Sequence, residues 1–255
     1  MDLSLGTEIF LLGAVFLAGI VDSIAGGGGL ISLPAYVFAG LPLRMAAANN
    51  KFGNSFGTLY ASYKFAREKK VVWKTVAFAF PASLIGSYLG AKLILFLPEN
   101  VLQISLLILL PLAASVMLFG AKSSEDDMSH MLEGRKLYIV SFVIGFGCGC
   151  YDGFFGPGTG TFLCLAFCSY AKMDYVHASG TAKLINLASN LGSLALFLAN
   201  GNVDISLGIK CAIASILGST IGSNLAISKG SRVIKPFIIM VICAIMIKLL
   251  FQLIM

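Results

Sequence analysis

The chain has 255 residues, of which 58% are hydrophobic and only 12% charged, and its mean hydropathy is +0.90. A soluble domain carries roughly 25% charged residues, and here apolar runs long enough to span a bilayer recur from end to end, which excludes a soluble enzyme. The net charge of +6, from 18 Lys+Arg against 12 Asp+Glu, falls mainly in short loops between apolar runs, the bias of cytoplasmic loops rather than of a nucleic-acid surface.

In lipid every backbone polar group must find its partner within the protein, which leaves helices or closed barrels. The runs are continuous rather than alternating, so an all-α polytopic bundle is predicted. The first segment covers 8–24. Asp2 and Glu8 precede any basic residue, and the first of those is Arg44. A positive n-region is therefore missing, and a retained transmembrane helix is expected rather than a cleaved signal peptide. Segments follow at 29–41, 44–66, 72–97 and 100–120. A polar linker of mixed charge covers 121–136. The second set is predicted at 137–151, 158–171, 174–199, 205–228 and 233–254. The first two segments of each set are short. The second ones, with about 13 residues against the roughly 20 that a span needs, are expected to be broken or re-entrant, giving 8–10 membrane segments.

The two sets are copies. Phe16-x-x-Gly19-x-x-Asp22 recurs as Phe146-x-x-Gly149-x-x-Asp152, Lys51-x-x-Asn54 as Lys183-x-x-Asn186, and Gly86-Ser87-x-x-Gly90 as Gly218-Ser219-x-x-Gly222. The offset grows from 130 to 132 between the first and second patterns, which suggests a two-residue insertion in the second glycine turn. The division is thus a first repeat over 1–120, the linker over 121–136 and a second repeat over 137–255. Lys64, Arg67, Lys69, Lys70 and Lys74 crowd the loop after the third segment, whereas the equivalent loop after Asn200 holds Asp204 and no basic residue before Lys210. The next pair of loops shows the reverse, with Lys229, Arg232 and Lys235 in the second copy only. Equivalent loops on opposite sides mean inverted halves. An odd number of crossings per half then puts both termini outside the cytoplasm and the linker inside it.

Asp22 leads into Gly26-Gly27-Gly28-Gly29, and Asp152 into Gly156-Pro157-Gly158-Thr159-Gly160. Glycine costs about 1 kcal/mol per residue relative to alanine in a helix, so the helix breaks there. Non-helical backbone at membrane depth survives only when buried in protein or lining a wet cavity, and paired breaks in two inverted halves point to a transporter's binding site. The helices that begin after Gly29 and near Gly158 offer N–H groups to an anion; close packing through small residues is the competing use. Lys51, Asn54 and Thr58 share one helix face, as do Lys183, Asn186 and Asn190. A lysine in hydrocarbon costs roughly 2.5–3.5 kcal/mol and needs a partner; snorkelling to the interface is its bland alternative. Asn50, Asn54, Thr159, Thr181, Asn186 and Asn190 supply neutral hydrogen bonds. Asp22 and Asp152 are candidates for binding a proton or for orienting the lysines. The glycine pairs Gly86/Gly90 and Gly218/Gly222 read as helix-packing motifs. His177 reads as a capping or interfacial residue. The six cysteines read as buried thiols. Neither metal spacing, P-loop nor nucleophile–base pair occurs, so no catalysis, cofactor or metal is expected.

These residues carry a resemblance. Asp22-Ser-Ile-Ala-Gly-Gly-Gly-Gly-Leu-Ile-Ser-Leu-Pro with Asn50-Lys51 and Gly57-Thr58, and in the second half Gly156-Pro-Gly-Thr-Gly with Ser179-Gly-Thr-Ala-Lys-x-x-Asn-x-x-Ser-Asn, resemble the sulfite exporter TauE/SafE family, also called the toluene sulfonate uptake permeases. Asn49 stands where that pattern has threonine. The resemblance implies an inner-membrane secondary transporter of a small organosulfur anion (sulfite, sulfonate or sulfoacetate) with proton coupling. The implied partners are the anion, protons and the bilayer. A homo-oligomer, an anion channel, or a membrane subunit of a larger complex stays open.

Overall fold

The structure is a computed structural model that describes residues 3–98, 100–102, 104, 105, 108 and 134–230. Eight helices carry the fold among these residues: α1 Leu5–Ala25, α2 Gly29–Phe38, α3 Leu43–Arg67, α4 Trp73–Phe96, α5 Arg135–Phe154, α6 Thr159–Tyr170, α7 Tyr175–Ala199 and α8 Ile205–Lys229. The predicted helix at 233–254, most of the one at 100–120 and the linker up to Glu133 lie outside the described residues, as do Pro111 and Cys243. Five of the helices are long and apolar enough to cross a membrane: α1, α4, α5, α7 and α8.

The local signals are ordinary chain chemistry. Ser4, Asp174 and Asp204 accept amide hydrogens of the first turns of α1, α7 and α8, the usual satisfaction of orphan donors. Gly26, at φ +81°, ends α1 and donates its amide to the Asp22 carbonyl at 2.7 Å, the left-handed cap that glycine adopts without strain. Pro81 lies inside α4 without ending it.

Two expectations are corrected. The first segment of each half is a full span, 21 residues in α1 and 20 in α5, because each helix runs past its aspartate to the glycine turn. The extra pair of residues in the second half is not in the turn either. α2 and α6 start 130 positions apart but end 132 apart, so α6 is simply the longer helix, 12 residues against 10. Helix propagation absorbs two residues at little cost, whereas the turn is held by close backbone contacts. At 1.5 Å per residue α2 and α6 are about 15 and 18 Å long, roughly half of a 30 Å hydrocarbon core.

The helices interleave. α3 touches α1, α2, α7 and α8, while α7 touches α1, α3, α4, α5 and α6. α1 packs along α8 and α4 along α5, so each half lends its fourth helix to the other's first. Small residues make those seams. A Cβ added at Gly145, Gly149 or Gly153 would lie 2.5, 2.4 or 2.0 Å from the carbonyl oxygens of Ala79, Ser83 and Ser87. One added at Gly218 or Gly222 would lie 2.1 or 2.3 Å from those of Phe16 and Ile20. Both registers rise together, so α4 and α5 run parallel, as do α1 and α8. In contrast Phe65 of α3 meets Gly180, while Lys51 meets Asn190, so α3 and α7 run antiparallel. The outward faces carry exposed Leu17, Ile85, Leu89, Val143, Ile213 and Leu217, a surface suited to lipid chains. α3 buries Asn49, Asn50, Lys51, Ser55, Thr58 and Ser62, and α7 likewise buries Ser179, Thr181, Lys183, Asn186, Ser189, Asn190 and Ser193, so both turn polar groups inward.

The seam offers a controlled test. Gly147 sits on α5 with nothing within 4 Å of an added Cβ, whereas Gly149 faces the Ser83 backbone. Overpacking typically costs about 1–3 kcal/mol. Gly149→Leu is expected to lower the melting temperature in detergent sharply, and Gly147→Leu to leave it unchanged.

Candidate functional site

The two glycine breaks touch each other. A Cβ on Gly26 would lie 2.2 Å from the carbonyl carbon of Gly160, and one on Gly29 would lie 3.2 Å from the Pro157 Cα. Only backbone fits between them, which is the physical use of glycine at this contact. Gly156, at φ +89°, leaves room for an ammonium: an added Cβ would stand 3.3 Å from the Lys51 Nζ.

Beside this contact the lysines and aspartates pair across the halves. Lys51 of α3 meets Asp152 of α5 at 2.6 Å, and Lys183 of α7 meets Asp22 of α1 at 2.9 Å. All four are buried, with residue exposures of 4%, 2%, 1% and 9% in that order. Burial at this depth is tolerable only for charges that are paired and hydrogen-bonded. The remaining bonding capacity differs between the pairs. Lys51 also donates to the Asn190 Oδ1 at 3.2 Å, whose amide group donates to the Thr58 hydroxyl at 3.4 Å. Lys183 also donates to the backbone carbonyl of Asp22. Asp152 Oδ2 accepts the Ser189 hydroxyl at 2.5 Å. Asp22 Oδ1 accepts the amide of Gly28, the N-cap of α2, at 3.3 Å. The aspartate of the first half thus occupies the place beside a helix N-terminus that favours negative charge.

Together these groups wall a cavity of about 10 Å³, room for a single water. Its lining is Asp22, Gly26, Gly29, Asn50, Lys51, Asn54, Asp152, Gly156, Gly160, Asn186 and Asn190. Every one of these is a candidate from the sequence, and the structure brings them into one place from both halves. Gly27, Gly28, Gly158, Thr159 and Lys183 lie outside the lining. Thr159 donates to the Gly156 carbonyl at 2.8 Å and Lys183 stands behind Asp22. Thr181 is elsewhere: its hydroxyl accepts the Val72 amide at 3.0 Å, tying α7 to the α3–α4 loop. His177 sits in the first turn of α7, its amide and ring both against Asp174. Asn49 turns its amide group back to the Met45 carbonyl at 2.9 Å.

Two functional neighbours are not among the sequence candidates. Ser32 donates to Asn50 Oδ1 at 2.6 Å, and Asn50 in turn accepts from Asn54 Nδ2 at 3.1 Å. Ser189 contacts Asp152. The signal for Ser189 is its place three residues after Asn186, on the lysine-bearing face; Ser32 lies in the half-helix and has no such periodic mark.

Known proteins share this architecture's sequence. The family model described as Sulfite exporter TauE/SafE matches residues 11–249. The chain is 37% identical over 248 residues to the "Probable membrane transporter protein YfcA" of Escherichia coli K12, covering 95% of this chain and 90% of that one. It is 36% identical over 252 residues to the "Probable membrane transporter protein ORF9" of Sinorhizobium sp, covering 98% and 94%. A "Probable membrane transporter protein" of Haemophilus influenzae is 35% identical over 243 residues, covering 94% and 92%. No solved structure matches the chain.

Removing one partner of a buried ion pair leaves a naked charge, a loss of about 3–5 kcal/mol. Lys183→Ala is therefore expected to lower the unfolding temperature markedly, and Lys183→Ala combined with Asp22→Ala to recover most of that loss. Thermal unfolding of the three proteins in one detergent checks this.

Proposed function

The chain belongs to the sulfite exporter TauE/SafE family of membrane transporters, and from that premise we propose that it carries a small organosulfur anion (a sulfonate, sulfoacetate or sulfite) through the cavity between the two glycine breaks. The observation that carries this reading is the composition of the cavity wall. A lysine ammonium, asparagine amides beside it and the glycine backbone converge there from both halves, next to two carboxylates, Asp22 and Asp152, each held by a lysine. Such a set of donors suits an oxyanion, with Lys51 acting as a point charge rather than a bidentate fork.

Charge counting sets the mechanism. Two lysines face two aspartates, so the closed site is balanced. An anion entering it must take a lysine away from a carboxylate, and a proton on that carboxylate restores the balance. A sulfite has four heavy atoms, while the cavity holds about one water. Entry therefore requires the walls to part, which favours a carrier over a channel.

In this reading the halves, 1–120 and 137–255, are inverted and rock about the site to alternate access. The antiparallel run of α3 against α7 and the exchange of α4 and α8 between halves support it. The basic α3–α4 loop faces the cytoplasm of a cell membrane and both termini lie outside.

Purified protein melted against sulfite, thiosulfate, sulfoacetate, isethionate, taurine, sulfate, acetate and lactate tests the assignment. A ligand at 100 times its Kd adds about 2.7 kcal/mol. One sulfur anion is expected to stabilise the protein and to lose its effect in Lys51→Ala. A shift with carboxylates alone, or with none, argues against a sulfur anion.

A further inference from the structure

The two ion pairs come from equivalent residues of a repeat, yet their surroundings have diverged in hydrogen-bonding character. Among the described residues, the side-chain and backbone groups bonded to the Asp22 carboxylate can only donate. Lys183 Nζ meets Oδ2 at 2.9 Å and the Gly28 amide meets Oδ1 at 3.3 Å. A protonated Asp22 would present an O–H to an ammonium or an amide, neither of which accepts. Asp152 differs in one partner. Ser189 Oγ lies 2.5 Å from its Oδ2, and the hydroxyl is both donor and acceptor. The same Oγ lies 2.9 Å from the Asn186 carbonyl oxygen. The Asn186 Oδ1 lies 3.4 Å away as well, so the hydroxyl's single hydrogen has homes other than Asp152. Pointed at Asp152 it serves the carboxylate; pointed at Asn186 it leaves a lone pair free to accept a carboxylic O–H. The first half lacks this device, because Gly57 stands at the position equivalent to Ser189, 132 residues earlier. A side chain there would have to displace two hydroxyls, since an added Cβ would lie 2.2 Å from Ser215 Oγ and 2.7 Å from Ser219 Oγ.

We infer that Asp152, not Asp22, is the carboxylate that takes up a proton, with Ser189 as the positioning residue that turns to accept it. A proton from water binds Asp152 Oδ2, the Ser189 hydrogen swings to the Asn186 carbonyl, and Lys51 stays an ammonium with a donor released toward the cavity. The proton adds one positive charge and the incoming anion one negative, so the site stays balanced. The Lys183–Asp22 pair, outside the cavity on its lysine side, remains closed as a fixed tie between the halves. The other groups facing Asp152 fit this assignment. Lys51 comes from α3, while Cys148 and Tyr151 are neighbours on its own helix. Asp22 lies across the cavity on α1. Lys183 of α7 is turned to Asp22, α6 contains no charged residue, and the α4 lysines Lys74 and Lys92 are exposed. It rests on the anion-carrier reading only for what the proton is used for.

Infrared difference spectra of the full chain in lipid nanodiscs, recorded across roughly pH 4 to 8, test it without any ligand. The C=O band of one buried carboxylic acid is expected to grow as pH falls, to vanish in Asp152→Asn and to persist in Asp22→Asn. In Ser189→Ala, which keeps both ion pairs, the band is expected to move, since its hydrogen-bond acceptor is gone; this variant decides the matter where an asparagine variant fails to fold. Loss of the band in Asp22→Asn instead, an unmoved band in Ser189→Ala, or no band in the native chain overturns the inference. Because no anion is present, those outcomes bear on the proton site alone and leave the anion assignment to the melting experiment.

Discussion

Two buried ammonium groups set the terms of this structure. Lys51 and Lys183 are buried inside the helix bundle, and neither can stay charged there without a carboxylate within reach. The carboxylates sit on the other half in both cases, Asp152 for Lys51 and Asp22 for Lys183. The halves are therefore bound by reciprocal charge as well as by apolar packing. Each aspartate lies just before a glycine break, so forming the pairs draws the breaks together until Gly26 and Gly160 meet backbone to backbone. The cavity is what remains beside that contact. It is polar because the residues that satisfy the ion pairs and one another, Asn190, Asn50 and Asn54 among them, turn toward it.

The close seams serve the same end. With lipid outside, helix association gains little from apolar area and depends on close approach and hydrogen bonding. Glycines 145, 149 and 153 against α4, and 218 and 222 against α1, let backbones nearly touch. Those seams join helices of different halves, so close backbone contact holds the halves together around the cavity. α2 and α6, by contrast, are half-length helices hung between glycine turns and four-residue connections.

Much of this is legible in the chain because it repeats its signals. Glycine runs, a lysine three residues before an asparagine, and small-x-x-x-small pairs are local patterns, and local patterns survive in a sequence. All the cavity-lining residues carry one of them or stand beside one. Pairing is different. Lys51 reaches Asp152 over a separation of 101 positions, and nothing local distinguishes Asp152 from Asp22 as its partner. Thr181 illustrates the same gap: it shares a helix with Lys183 but points to the Val72 amide, a direction that only tertiary contact determines. The insertion has a similar origin. An offset between motifs locates it between them, not on the turn or the helix, and α6 holds it. Ser189 has a periodic mark but no role readable from it, because its importance lies in the Asp152 beside it.

If the cavity is an anion site whose lysine is shared with a carboxylate, its preference for charge is measurable without knowing the substrate. Asn54 lines the cavity, and its amide group donates to its helix neighbour Asn50. An Asn54→Cys variant in a background without the native cysteines can be labelled by methanethiosulfonate reagents of opposite charge, one a sulfonate and one a quaternary ammonium. Labelling is expected to be several-fold faster with the anionic reagent, and the preference to be lost when Lys51→Ala is added. Equal rates, faster cationic labelling, or no reaction with either reagent would contradict this expectation.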